Sequence, residues 1–416
     1  MRFVRNVAYL TDIEGRWDKL ESFCARSPDV ALDPSGRLVV SEGSVFVFGG
    51  DAIDRGPHAR RVVSTLLAAK RAQPDRVVLL AGNRDINKLR LVRELGGHPP
   101  RRAPAELASA GPGALLSFIF TFTMGARDAL AHRQAELESS GEPSSPDDAA
   151  RSFLEDLEPR GELSELLALS QLAHREGATL FVHGGVTREN LGAVPLHRER
   201  TLDVDRWVER LNTFYAESLH GFVTRRLSPG GAPSWATLID YQAPLDGTRL
   251  NQASVVYART ASARGEPRLP DPSVVADLLR AGVERVVVGH TPVGDCPAVL
   301  RDPRGFELVM ADNSYGRLEL GPRVAVRAEG LTVHGETELD GGERASVLFT
   351  LARGEGGPLG LVDADTGSLV KARLEAGDFL LYRPLDGYRV EQVARSAEEL
   401  AGRRLLPPHE GSFVGP

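Results

Sequence analysis

Val45-Phe46-Val47-Phe48-Gly49-Gly50-Asp51-Ala52-Ile53-Asp54-Arg55-Gly56 is the stretch on which the reading of this chain turns. Valine and phenylalanine in an unbroken run, bounded by turn residues, read as a buried strand. The paired glycines that end it let backbone come close to a bound ion or anion. Two carboxylates and an arginine follow at once. The stretch therefore predicts a strand that delivers charged side chains to a ligand site at its carboxyl end.

Four other apolar runs end in the same way. They are Val7–Leu10 before Thr11-Asp12, Val77–Leu80 before Ala81-Gly82-Asn83, Leu180–Val182 before His183-Gly184-Gly185, and Arg285–Val288 before Gly289-His290. Helical segments over Trp17–Arg26, Arg60–Gln73 and Pro272–Ala281 separate several of them, with Pro272 suited to a first turn and Gly282 to a C-terminal cap. Strand, polar loop, helix, strand is the pattern of an α/β layered fold, in which ligands collect outside the carboxyl ends of the strands. Asp12, Glu14, Asp51, Asp54, Asn83, His183 and His290 all fall there. Carboxylates, an amide oxygen and imidazoles are ligands for divalent metals of borderline to hard character. Helix capping accounts for an isolated Asp or Asn; it does not account for the histidines.

At 416 residues the chain exceeds what one hydrophobic core usually supports. We expect a large domain over 1–322 and a small β-rich C-terminal domain over 323–416. The large domain carries a helical insertion over about 91–177, with helical patterning in Ala114–Ala131 and Leu163–Arg175 and a polar break at Ser139–Asp148. Two readings of it stay open, a cap beside the site or a packed insertion. Val204–Arg225 also reads as helix, ahead of a Pro/Gly loop at Pro229–Pro233. Past Pro322, short strands are expected over Val324–Val333, Ala345–Leu351, Leu359–Val362, Leu369–Leu374 and Phe379–Tyr382, with turns at Asp365-Thr366-Gly367 and Asp386-Gly387.

The net charge of −7 gives no general attraction to nucleic acid or to an anionic membrane. The apolar run Leu115–Met124 falls short of the roughly 20 residues a membrane span needs, and the first ten residues do not read as a signal peptide. Cys24 and Cys296 are the only cysteines and stand far apart, so a disulfide framework is not expected and a reducing cytoplasm is the natural setting.

Gly50-Asp51-Ala52-Ile53-Asp54-Arg55-Gly56-Pro57 resembles the GDxxDRG signature of the calcineurin-like metallophosphoesterases, in the branch of the phosphoprotein phosphatases and symmetrical diadenosine tetraphosphate hydrolases. Further motifs of that family follow in order: Asp12-Ile13-Glu14-Gly15, Gly82-Asn83-Arg84-Asp85, His183-Gly184-Gly185, Gly289-His290-Thr291-Pro292 and Asp312-Asn313-Ser314. The resemblance spans Val4 to Gly316 and implies a metallophosphoesterase β-sandwich flanked by helices. It implies an enzyme that hydrolyses a phosphoester or phosphoanhydride with a hydroxide held between two divalent metal ions, about 3.5–4 Å apart. By position, Asp51 would bridge the ions. Asp12 and Glu14 would complete one site; Asn83, His183 and His290 would complete the other. Arg55 would bind a phosphate oxygen, since a planar and permanently charged fork suits phosphate. Arg259 is a further candidate anchor, after the strand-like Ser254–Tyr257, though no motif supports it.

The sequence departs from the family twice. Glu14 stands where a histidine is usual, which makes the first site all-oxygen and favours manganese, with magnesium or iron also open, over softer zinc. Arg84 stands where the family carries the histidine that protonates the leaving oxygen, and arginine stays charged near neutral pH. General acid catalysis is worth about 10²–10⁴-fold. Arg84 is thus either a fixed positive charge for leaving groups that need no proton, such as anhydrides or aryl esters, or a structural partner of Asp54. A small phosphorylated metabolite or nucleotide is the expected substrate; a phosphoprotein, or a non-catalytic role binding metal or a phosphorylated ligand, are the alternatives.

Overall fold

The computed structural model describes residues 5–228, 231–245, 250–318, 320–385 and 389–409. All five apolar runs form strands: Asn6–Leu10, Ser44–Phe48, Val77–Leu80, Thr179–Val182 and Arg285–Val288. Their side chains alternate between two buried environments, which is why the sequence shows unbroken apolar runs. Val7, Tyr9, Val45 and Val47 face the second sheet, where Tyr9 stacks on Phe181 with ring centroids 5.7 Å apart. Ala8, Leu10, Phe46 and Phe48 belong to the larger cluster on the other face; there Phe46 meets Phe23 of the helix Trp17–Arg26 at 5.6 Å.

The first sheet has seven strands in the order Arg344–Ala352, Gly330–Glu338, Arg323–Arg327, Asn6–Leu10, Ser44–Phe48, Val77–Leu80, Ser170–Gln171. The second has five, in the order Ala298–Arg301, Glu307–Met310, Arg285–Val288, Thr179–Val182, Ala173–Glu176. Asn6–Leu10, Ser44–Phe48 and Val77–Leu80 run parallel side by side, as do Thr179–Val182 and Arg285–Val288. The loops at their carboxyl ends are joined by backbone hydrogen bonds. Asp12 N donates to Gly50 O and Glu14 N to Asp51 O, both at 3.0 Å, and Gly289 N donates to His183 O at 2.8 Å. Helices cover the sandwich, including Ala59–Ala72, Val204–Val223 and Pro272–Arg280, the last capped by Asp271, which accepts from Ser273 N. The α/β sandwich and the separate C-terminal sheet are thus as expected.

Other expectations need correction. The apolar spacing over Leu163–Arg175 predicts one helix, but the helix stops at Ala168 and Ser170–Gln171 and Ala173–Glu176 are strands. Pairing with Thr179–Val182 across the tight turn at Gly177, where φ is +60°, overrides the local pattern. Ser254–Tyr257 is a turn, held by the Ser254 hydroxyl accepting from Val256 N and Tyr257 N. The helix expected over Ala114–Ala131 covers only Pro112–Ile119; it passes into a π-helical turn, Phe120–Met124, and ends at Gly125. Val324–Val333 is a hairpin. Its strands, together with Arg344–Ala352, extend the first sheet through Val7↔Val326 pairing, although they lie beyond residue 322. The separate sheet starts later, in the order Val390–Arg395, Phe379–Pro384, Leu369–Arg373, Val362–Asp363, Leu405–Leu406. Pro229-Gly230 and Asp386-Gly387 lie outside the described residues. No helix among the described residues is long and apolar enough to cross a membrane.

The last sheet is tied to the loop after His290. Buried Asp295 accepts from Leu318 N at 2.8 Å, Glu338 N at 2.9 Å, Gln392 Nε2 at 2.9 Å and Thr337 Oγ1 at 3.3 Å. Lys371, fully buried, donates to Val293 O. An unmatched buried donor costs about 1–3 kcal/mol, so Asp295→Ala should lose more than about 3 kcal/mol in chemical denaturation. A loss below about 1 kcal/mol would show that the network does not hold the sheet in place.

Candidate metal centre

Asp12, Asp51 and His183 each present a ligand atom at the carboxyl end of their strand, and these atoms all lie within 4.8 Å of one another. All three side chains are buried. His183 Nδ1 lies 2.8 Å from Gly49 O, and its Nε2 points inward, 3.3 Å from Asp51 Oδ1 and 3.1 Å from Asn83 Oδ1. A backbone acceptor on one ring nitrogen is how metal-binding histidines are commonly oriented. His290 joins the group at 5.4 Å between ring centroids from His183, and its buried Nε2 has no partner among the described residues. The backbone N–H of His290 is 3.2 Å from both Asp12 oxygens. Orphaned imidazole nitrogen, clustered carboxylates and an amide oxygen together suit a divalent cation.

The backbone is bent to make this cluster. Asp12, Glu14, Asp51, Asp54 and His290 all have positive φ, at 52°, 48°, 55°, 139° and 60°. Such conformations cost on the order of 1–3 kcal/mol each outside glycine and persist only where the surroundings enforce them. Two glycines permit the close approach. A Cβ at Gly82 would fall 2.1 Å from Asp51 Oδ1, and one at Gly289 would fall 2.2 Å from Asp12 Oδ2.

Glu14 and Arg84 meet. Arg84 Nε lies 3.1 Å from Glu14 Oε1 and 3.6 Å from Asp51 Oδ2, while its Nη1 lies 3.3 Å from Asp54 Oδ2. Arg84 therefore does pair with Asp54, but it reaches three carboxylates at once. Its backbone N–H also donates to Asp51 Oδ1 at 2.8 Å. Glu14 Oε2 is 3.5 Å from Arg55 Nε. Arg55 in turn lies over the Tyr315 ring, 3.9 Å from its centroid. Glu14 thus lies between two arginines, outside the Asp12–Asp51–His183 group.

Titration behaviour follows from burial and these pairings. Burial pushes Glu14 up to about 7 against the pull of Arg84 and Arg55. Burial, with Asp312 adding to it, raises Asp12 well above the usual carboxylate range. Burial opposes charge on Asp51 too, but His183 and Arg84 outweigh it and hold Asp51 at about 2. The same pairing outweighs burial at His183 and raises it to about 10. His290, buried and close to His183 and Arg259, is pushed well below its ordinary value.

Several working residues escaped the sequence reading. Asp85 accepts from the backbone N–H groups of Asp51, Ala52 and Gly82, each at 2.9 Å, and so locks two ligand loops together. Lys88, fully buried, sits 2.6 Å from Asp54 Oδ1; its position four residues after Arg84 was the available signal. Lys19 is buried beside Glu14, Asp312 and Asp12, whose charges draw it, and interrupts the apolar face of its helix. Arg259, which the sequence did offer as a candidate anchor, lies near enough to His290 to depress its pKa, and its own Nε is buried without a partner among the described residues. The insertion is packed and also borders the site. Phe120 meets Phe153 inside it, Met124 O accepts from Arg84 at 3.3 Å, and Arg127 lines a cleft of ≈ 360 Å³ with Glu14, Lys19, Arg55 and Tyr315.

The sequence profile of the calcineurin-like phosphoesterases matches residues 5–294. This chain belongs to that family, and the protein is a metal-dependent hydrolase of phosphatase type. No curated protein gives a significant sequence match. Among solved structures, a cold-active protein-tyrosine phosphatase of a psychrophilic Shewanella species is similar at 16% identity and TM-score 0.45, covering 82% of this chain and 80% of its own. A protein serine/threonine phosphatase from Saccharomyces cerevisiae is similar at 13% identity and TM-score 0.38, covering 86% and 82%. A metallophosphoesterase from Sphaerobacter thermophilus shares 11% identity at TM-score 0.30, covering 84% and 89%.

Because the ligand carboxylates lie together out of water, a bound divalent ion should stabilise the fold. At 100 times its Kd the gain is about 2.7 kcal/mol. Manganese should raise the melting temperature of chelator-stripped protein, and the rise should vanish in Asp51→Asn and His183→Ala. An equal rise in those variants would place the ion elsewhere.

Proposed function

We propose that the protein hydrolyses a phosphoanhydride or an activated phosphoester of a small phosphorylated metabolite or nucleotide, using two divalent ions, in the cytoplasm. The observation that carries the reading is the Asp12–Asp51–His183 cradle at the ends of three strands, with ligand atoms all within 4.8 Å. Asp12, Glu14 and Asp51 would hold the first ion, and Asp51, Asn83, His183 and His290 the second. When bound, the ions would supply Lewis acidity toward the phosphoryl oxygens and acidify the attacking water. The oxygen-rich donor set favours manganese, with magnesium or iron as the other choices.

The chain's own groups do the remaining work. Arg55, held over Tyr315 and facing the cleft, is the phosphate-binding fork. Asp54 and Lys88 fix Arg84, whose permanent charge can stabilise a departing anion but cannot protonate it. Leaving groups that are stable as anions are therefore favoured. A cleft of ≈ 360 Å³ bounded by the insertion favours a small substrate. Two buried free cysteines accord with a reducing compartment.

Purified protein with manganese should hydrolyse 4-nitrophenyl phosphate or diadenosine tetraphosphate, and Asp51→Asn and His290→Ala should lower the rate by more than about 10²-fold. Turnover of neither substrate, or turnover indifferent to both substitutions, rules the enzyme out. Metal analysis should return two ions per chain; a single ion would mean that Arg84 occupies the ground of the first. Arg84→His should raise the rate on an alkyl phosphate at least about ten-fold, and no change would count against the leaving-group argument.

A further inference from the structure

Beyond Tyr315, which lines the cleft at the metal centre, lies a second cavity of ≈ 450 Å³ that Tyr315 also lines. Its walls come from distant parts of the chain. Arg259, Arg264, Thr291 and Tyr315 contribute from the large domain, Tyr382 from the C-terminal sheet and Arg389 from the residue just before its strand Val390–Arg395. Three arginines line it, and no aspartate or glutamate does among the described residues.

Three of the polar groups here have no partner among the described residues. Thr291 is 2% exposed, yet its hydroxyl has no partner among the described residues. Arg259 Nε is buried and likewise unpartnered among those residues. The guanidinium of Arg264 makes no ion pair or hydrogen bond among the described residues, only its backbone N–H being engaged, with the Ser262 hydroxyl. A purely structural interface would match the Thr291 hydroxyl and Arg259 Nε, because an unmatched buried donor costs about 1–3 kcal/mol; Arg264, which also lines the cavity, is exposed.

The far wall is held in place. Lys371 donates to Val293 O and lies 4.6 Å above the Tyr382 ring. Gly294, at φ +80°, passes so close that a Cβ would be 3.3 Å from Tyr382. Gln392 reaches Asp295 from the same sheet. The segment running from His290 to Asp295 is thereby seated on the C-terminal sheet.

We propose that this cavity is an anion subsite that takes a second phosphate group of the substrate, beyond the one cleaved, and that the C-terminal sheet builds its outer wall. The substrate class is then a small organic bis- or polyphosphate, recognised by charge-assisted guanidinium–phosphate contacts. The location of the cleaved phosphate rests on the phosphoesterase reading; the binding of the second phosphate does not.

The test compares diadenosine tetraphosphate with 4-nitrophenyl phosphate, using full-length protein and manganese. In Arg264→Ala the ratio of kcat/KM for the first to that for the second should fall about ten-fold, mainly through KM, as expected for losing one charged hydrogen-bonding group. Thr291→Val should lower the ratio in the same direction and Arg264→Lys should recover part of it. Circular dichroism melts identify any variant that fails to fold. An unchanged ratio in folded Arg264→Ala and Thr291→Val overturns the subsite. Equilibrium dialysis with diadenosine tetraphosphate reads binding without turnover. Binding about ten-fold weaker in Arg264→Ala upholds the subsite even if neither substrate is hydrolysed, which would sink the enzymatic reading alone. Equal binding sinks the subsite. Competition by inorganic pyrophosphate but not adenosine assigns recognition to phosphate; the reverse refutes that assignment.

Discussion

Asp12, Glu14, Asp51, Asp54, Asp85 and Asp312 are all buried at one end of the sandwich, and each ionised carboxylate taken from water costs several kcal/mol unless its charge is answered. Most of the local structure supplies those answers. Backbone N–H groups serve Asp85, Lys88 and Arg84 serve Asp54, and Arg84 with Arg55 serves Glu14. Asp51 has the His183 ring and, at 3.6 Å, Arg84 beside it, while Asp12 has only hydrogen bonds from the Thr11 hydroxyl and the His290 backbone. The positive φ angles and the glycines that admit these side chains make sense only if the cluster is worth its strain. A cation between Asp12, Asp51 and His183 is the answer the geometry invites.

The two departures from the family turn out to be one. Glu14 and Arg84 replace two usual histidines, and their side chains meet at 3.1 Å. A carboxylate introduced alone would add buried charge, and an arginine introduced alone would repel a neighbouring ion. Introduced together they offset each other, and Arg84 is further steadied by Asp51 and Asp54. The consequence is chemical. On the proposed reading a fixed charge stands where a proton donor would act, which would narrow the leaving groups the site can expel.

What could be read from the sequence was whatever depended on short-range pattern. The five strands, the helix Trp17–Arg26 and the gathering of Asp12, Asp51 and His183 at strand ends follow from apolar runs and the turn residues after them. What could not be read depended on distant partners. Ala173–Glu176 is a strand only because Thr179–Val182 is beside it, and Arg323–Arg327 joins the first sheet only because Asn6–Leu10 offers an edge. Lys88 and Lys19 look like surface residues until the carboxylates they serve are brought to them. The contact between Glu14 and Arg84 crosses two loops and has no local signature.

The central claim is that the buried carboxylates exist to hold divalent metal. X-ray diffraction at the manganese absorption edge, from crystals grown with manganese, tests it most directly. The account predicts anomalous density against Asp51, with Asp12 on one side and His183 and His290 on the other. Crystals with no anomalous density in that cradle, at manganese concentrations that support or should support turnover, would contradict it.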